Sequence, residues 1–170
     1  MGSGKFIIYT IGHSNLEPEE FMARLKNFKI ELLIDVRSKP FSEYASQFNK
    51  GKIENLCQGA GMEYAFLGNL LGGKPEDDSV RLRSGEVNYR LLEQKDYFLE
   101  GIEKLLRAAR EKVVCVMCSE GQPDECHRHL LIAPVLEKQG VEVWHILAEG
   151  NVIGSEQLRL ELSKGQLALF

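Results

Sequence analysis

Cysteine is scarce in this chain, four among 170 residues, which is too few for the disulfide framework that staples small secreted domains. Long apolar runs are missing as well. None approaches the ~20 residues that a membrane-spanning helix needs, and the N-terminus lacks the pattern of a secretory signal. Basic charge is not in excess either: a formal net charge of -4 leaves no footprint for indiscriminate nucleic-acid binding, although a sum says nothing of a local basic groove. Nucleotide fingerprints are absent, with no GxGxxG between a first strand and its helix and no Walker pattern. The expectation is a cytoplasmic protein with no membrane partner, whose cofactor and oligomeric state the sequence does not name. What remains is ordinary globular composition, 44% hydrophobic and 27% charged, in a chain large enough for one domain with a real core.

Periodicity organises that domain. Lys5–Ile11 reads as a buried strand, and Pro18 opens a helix whose Phe21, Met22, Leu25 and Phe28 recur at helical spacing. Leu32–Val36 is a second strand, a short helix covers about Lys50 to Cys57, and Glu63–Phe66 forms a short strand. Residues 74–88 are polar and without period, a surface loop placed to act as a lid. A strong amphipathic helix carries Phe98, Ile102, Leu105, Leu106 and Ala109, followed by the strand Val113–Cys118, a helix from about Asp124 to Gln139, and the strand Val141–Leu147. A last helix over Gly154–Leu162 falls in a variable tail, 150–170, while residues 1–4 read as an expression remnant. Strands alternating with helices predict an α/β fold. It is a single three-layer domain over residues 1–170, with a mostly parallel sheet covered by helices on both faces.

In such a sheet the strands end on one edge, where ligands bind. Here the strand ends read Gly12-His-Ser-Asn15, Asp35-Val-Arg37 and Cys118-Ser-Glu120, with His145 in the last strand. The helix expected after Cys118 opens with Cys126-His-Arg-His129. Cationic side chains there have the wrong sign for the helix dipole, which favours anions at that end. That run therefore reads as a site rather than a scaffold.

Thr10-Ile-Gly-His-Ser14, Asp35-Val-Arg37 with Pro40, Tyr64 and Leu67 before Leu71-Gly-Gly73, and Cys118-x-Glu120 with Cys126-His-Arg128 together resemble the domain of unknown function 488 family. The resemblance runs from about Tyr9 to Ile146, with the motifs in family order. It implies a compact α/β domain with a polar site built from these motifs, and leaves the reaction open.

Three chemistries compete for these residues. Cys118, Cys126, His127, His129 and His13 are ligand types that zinc or iron accepts. Adjacent Cys126 and His127, however, diverge by about 100° on a regular helix, so a site without tightly bound metal is expected ahead of a Cys/His metal site, which stays open as an alternative. Cys118 and Cys126 would make a thiol pair, with Cys126 activated in the first turn of a helix capped by Asp124. A phosphatase-like loop of a cysteine, five residues and an arginine is excluded, because that position is Asp124.

The favoured expectation is acid–base chemistry on an anion. In this reading the catalytic group comprises Glu120 and His127, which move protons, with Asp35, Cys118 and Cys126. Arg37 and Arg128 fork a phosphate or carboxylate, His13 and Ser14 line the rim, and Tyr64 contacts the substrate. The partner would be a small anionic or nucleotide-like molecule. The competing expectation is a non-catalytic binding module, in which Asp35, Arg37, Glu120 and Arg128 form a structural ion-pair network.

Overall fold

The computed structural model describes residues 6–167; the remnant reading of residues 1–4 and the end of the tail lie outside them. Among the described residues six strands form one sheet: β1 (Phe6–Gly12), β2 (Leu32–Asp35), β3 (Glu63–Phe66), β4 (Val114–Cys118), β5 (Val141–Ile146) and β6 (Val152–Gly154). Their spatial order is β3-β2-β4-β1-β5-β6. All neighbours are parallel except β5 and β6, which are antiparallel. The single mostly parallel sheet of the sequence reading is therefore what the chain forms. The short antiparallel edge β6 is an addition, too brief for its alternation to be read.

The helices are α1 (Pro18–Asn27), α2 (Lys50–Gly59), α3 (Gly68–Leu71), α4 (Tyr89–Leu92), α5 (Asp96–Glu111), α6 (Ala133–Lys138) and α7 (Ser155–Leu167). Their apolar stripes build a core on each sheet face. One joins Phe21, Leu25, Phe48, Ile53 and Cys57 to Leu33, Cys115 and Met117; the other joins Phe98, Ile102, Leu105, Leu131 and Leu136 to Ile34, Val114 and Val116. Odd and even residues of β4 thus serve opposite cores, as a two-sided strand requires.

Strand order also positions the site. From β1 the chain crosses toward β2 on one side, while from β4 it crosses toward β5 on the other. Adjacent β1 and β4 thus send their connections in opposite directions, and a crevice forms where such connections part. Their carboxyl ends lie level, with Gly12 beside Cys118.

The helix expected over 124–139 is broken into pieces. Pro123–Glu125 form a 3-10 turn, Cys126 is extended (φ -116°, ψ 145°), Arg128–Ile132 make a π turn, and only then does α6 begin. Pro134 has no N–H for the carbonyl four residues back, and Ala133 N–H reaches the more distant Arg128 carbonyl. Residues 74–88 are pinned rather than loose. Arg81 donates to the carbonyls of Pro75 and Gly85, Tyr97 to Asp77, and Val80 is buried. That segment forms a wall of the crevice.

Candidate active site

The segment leaving β4 is held along its whole length. His13 N–H donates to the Cys118 carbonyl at 3.0 Å and Ser14 N–H to that of Ser119 at 2.9 Å. Arg128 supplies the next two bonds, Nη1 to the Glu120 carbonyl at 2.7 Å and Nη2 to that of Gly121 at 3.2 Å. Its Nε donates to the Thr10 hydroxyl at 3.2 Å, and the residue is fully buried. A Cβ at Gly12 would stand 1.6 Å from the Glu120 carbonyl oxygen, so only glycine lets β1 approach this turn. Arg128, expected among the anion contacts, is thus committed to backbone, and so are the N–H groups of His13 and Ser14.

Asp35 and Arg37 form a second unit. Arg37 forks onto the carboxylate through Nε (2.9 Å) and Nη2 (2.8 Å), and Tyr64 O–H donates to the same carboxylate at 2.6 Å. Arg37 Nη1 donates to His13 Nε2 at 3.2 Å, while His13 Nδ1 donates to the Ser14 carbonyl at 2.8 Å and the ring stacks on Phe48. Burial, with Arg37 nearby, lowers the His13 pKa. Burial and the Asp35 carboxylate raise that of Tyr64. The ion-pair network of the competing expectation exists for Asp35 and Arg37, with His13 and Tyr64 attached. Glu120 and Arg128 meet only through a main-chain carbonyl.

The third unit gathers sulfur and imidazole. Cys118 Sγ donates to Glu120 Oε2 at 3.1 Å and lies 3.5 Å from His127 Nδ1; Cys126 Sγ lies 3.7 Å from the same nitrogen. The two sulfurs and the imidazole nitrogen all fall within 4.8 Å of one another. His127 Nε2 donates to the Val36 carbonyl at 3.1 Å, and because a carbonyl only accepts, Nδ1 is left to face the sulfurs. Gly73 backs the ring, since a Cβ there would meet it at 2.9 Å. Extended Cys126 behaves as a cap, its carbonyl accepting from His129 and Leu130 N–H and its sulfur from Arg128 N–H at 3.5 Å. The hydrogen bond from Cys118, helped by His127 and Arg128, pulls the Cys126 thiol far below its usual range. The hydrogen bond with Cys126 and burial drive Cys118 up.

A crevice of about 630 Å³ opens over this unit, lined by the buried Cys118 and His127, the exposed Glu120, and Arg37, Ser38, Lys39, Lys74 and Arg81. Glu120 is paired there with the Cys118 thiol and, among the described residues, with no basic side chain. Asp35, His13, Ser14 and Tyr64 do not line it. Lys39 and Lys74 were missed in the sequence. The only signal was position, one just after the β2 end and the other just after the Gly72-Gly73 pair. Also missed was a buried chain from Thr10 Oγ1 to His145 Nδ1 (2.6 Å) and from His145 Nε2 to His129 Nδ1 (3.0 Å), which turns both histidines away from the crevice.

The profile of the family described as "Domain of unknown function DUF488" matches residues 17–134. The chain belongs to this family. The DUF488 match spans Asp35–Arg37, Tyr64, Cys118–Glu120 and Cys126–Arg128, while the Thr10–Ser14 motif, with His13, precedes it. Neither the curated proteins nor the solved structures compared with the chain give a match.

Proposed function

We propose that this DUF488 protein is an enzyme that binds a small anionic substrate, phosphate- or carboxylate-bearing, in the carboxyl-edge crevice and moves a proton on it through Glu120. The observation that carries the reading is Glu120 itself. It is an exposed carboxylate lining the crevice, in contact with a thiol and, among the described residues, without a basic partner, in a lining that also carries Lys39 and Lys74. Beside it the Cys118 thiol is pushed up and the Cys126 thiol down, a pattern common at functional sites. The roles are redistributed from the sequence expectation. Arg128, Asp35, Arg37, His13 and Tyr64 position the strand ends, and the substrate charge falls to Lys39 and Lys74. His127, with Nε2 held by a carbonyl, orients sulfur instead of carrying protons to substrate. Four free thiols fit a reducing, cytoplasmic setting.

A thermal-shift screen of nucleotides and phosphorylated or carboxylated metabolites tests the reading. A stabilising ligand is expected, its affinity falling roughly tenfold, about 1.4 kcal/mol, on Lys39→Ala or Lys74→Ala. Binding that is indifferent to both lysines, or to Glu120→Gln in any turnover found, sinks it.

A further inference from the structure

Cys118, Cys126 and His127 share a feature that acid–base chemistry does not need. Two sulfurs and one imidazole nitrogen from separate parts of the fold, the β4 end and the turn before the π segment, converge on a single point. Four-coordinate zinc, with Zn–S about 2.3 Å and Zn–N about 2.0 Å, sets its sulfur and nitrogen ligands about 3.6 Å apart at tetrahedral angles. The observed separations are 3.5 Å from Cys118 and 3.7 Å from Cys126 to His127 Nδ1. The obstacle seen in the sequence, the divergence of adjacent helical side chains, is removed because Cys126 is extended and only His127 starts the helical turn.

The surroundings match those of a built site. The Val36 carbonyl holds His127 Nε2–H at 3.1 Å, which fixes the tautomer whose Nδ1 lone pair points at the sulfurs, the usual outer contact of a ligating histidine. Arg128 N–H steadies the Cys126 sulfur, and Gly73 lies flat against the imidazole. All three residues are buried to within 7% exposure, yet Cys118 and His127 reach the crevice surface.

We infer that Cys118, Cys126 and His127 bind one thiophilic divalent cation, of the zinc class, with its remaining coordination position open to the crevice beside Glu120. Three protein ligands and an open position are the arrangement of catalytic rather than structural zinc. Two thiolates balance the charge of the ion. The ligand geometry stands by itself; the role of the ion in turnover rests on the function proposed above. In that role a water in the open position gives one proton to Glu120 and its oxygen bonds to an electrophilic carbon or phosphorus of the anion. The bond to the leaving group breaks and Glu120 returns the proton to that group, consuming one water per bond cleaved.

The test is metal content, together with the absorption of the cobalt(II)-loaded wild-type protein. Near-stoichiometric zinc after expression in zinc-supplemented medium is expected, as is an intense thiolate-to-cobalt band on exchange. That band should be lost in Cys118→Ser, Cys126→Ser and His127→Ala and kept in Cys57→Ala, whose sulfur lies in the other core. Metal-free wild-type protein that gives no such band overturns the inference, as does a band retained in all three ligand variants. The wild-type spectrum needs no variant, so a substitution that fails to fold leaves the test intact. Bound metal together with no anion binding and a silent Glu120→Gln would overturn the proposed function while leaving the metal site standing. Anion binding dependent on Lys39 and Lys74 in a metal-free protein would do the reverse.

Discussion

The guanidinium of Arg128 donates to the carbonyl of Glu120 at 2.7 Å, fastening from beneath the turn whose side chain reaches the crevice from above. One arginine therefore sets the height of the proposed proton carrier without touching substrate. Arg128→Ala leaves the part-buried carbonyls of Glu120 and Gly121 without their donor, each at a cost of about 1–3 kcal/mol. A loss of roughly 3 kcal/mol is expected, read as a lower urea midpoint at unchanged slope. Arg128→Lys should recover only part, because an ammonium lacks the fork that spans two carbonyls.

Gly12→Ala attacks the same turn from the other side. The added methyl meets the Glu120 carbonyl head-on, and a rigid main-chain atom cannot rotate away as a side chain would. Destabilisation of about 1–3 kcal/mol is expected, with loss of anion binding exceeding the loss of fold. A variant as stable and as competent as wild type would show that β1 and the turn are not in the tight contact described.

The Asp35 unit predicts a ranking. Tyr64→Phe removes one charge-assisted bond and should cost about 1.5–3 kcal/mol. Asp35→Asn leaves the buried Arg37 guanidinium uncompensated and should cost about 3–5 kcal/mol. Chemical denaturation of both variants decides the order. The reverse ranking would mean that Arg37 finds another acceptor.

How much of this was legible follows from where the information sits. The β1, β2 and β4 cores are continuous β-branched or apolar runs, and the amphipathic stripe of α5 has 3.6 periodicity, so sheet and helices could be read directly. The strand-end motifs located the crevice because topology brings carboxyl ends to one edge. Partners could not be read. Whether Arg128 faces substrate or the Glu120 carbonyl depends on a contact across eight residues. Whether Cys126 and His127 point together depends on one extended residue between a 3-10 and a π turn. Pro123 and Pro134 were the available warning that 124–139 is no regular helix.

Acid should weaken the fold through His145. Burial, with Arg128 and His129 nearby, lowers its pKa from an ordinary 6.5 to about 3. Between those values the unfolded chain binds a proton that the folded protein refuses. Stability is therefore full above pH 6.5 and declines as pH falls toward 3, by an amount of order a few kcal/mol. Denaturation midpoints across that range should fall more steeply for wild type than for His145→Asn. Parallel curves would count against a neutral buried histidine.

The account rests on Glu120 serving the crevice and not the fold, and the direct measurement is the melting temperature of Glu120→Gln beside its ligand binding and turnover. A carboxylate with no basic partner among the described residues gives the fold little, so a melting temperature equal to or above that of wild type is predicted, with turnover lost and the folded crevice retained. A melting temperature several degrees lower, with whatever activity is found left intact, would make Glu120 a structural residue and contradict the central claim.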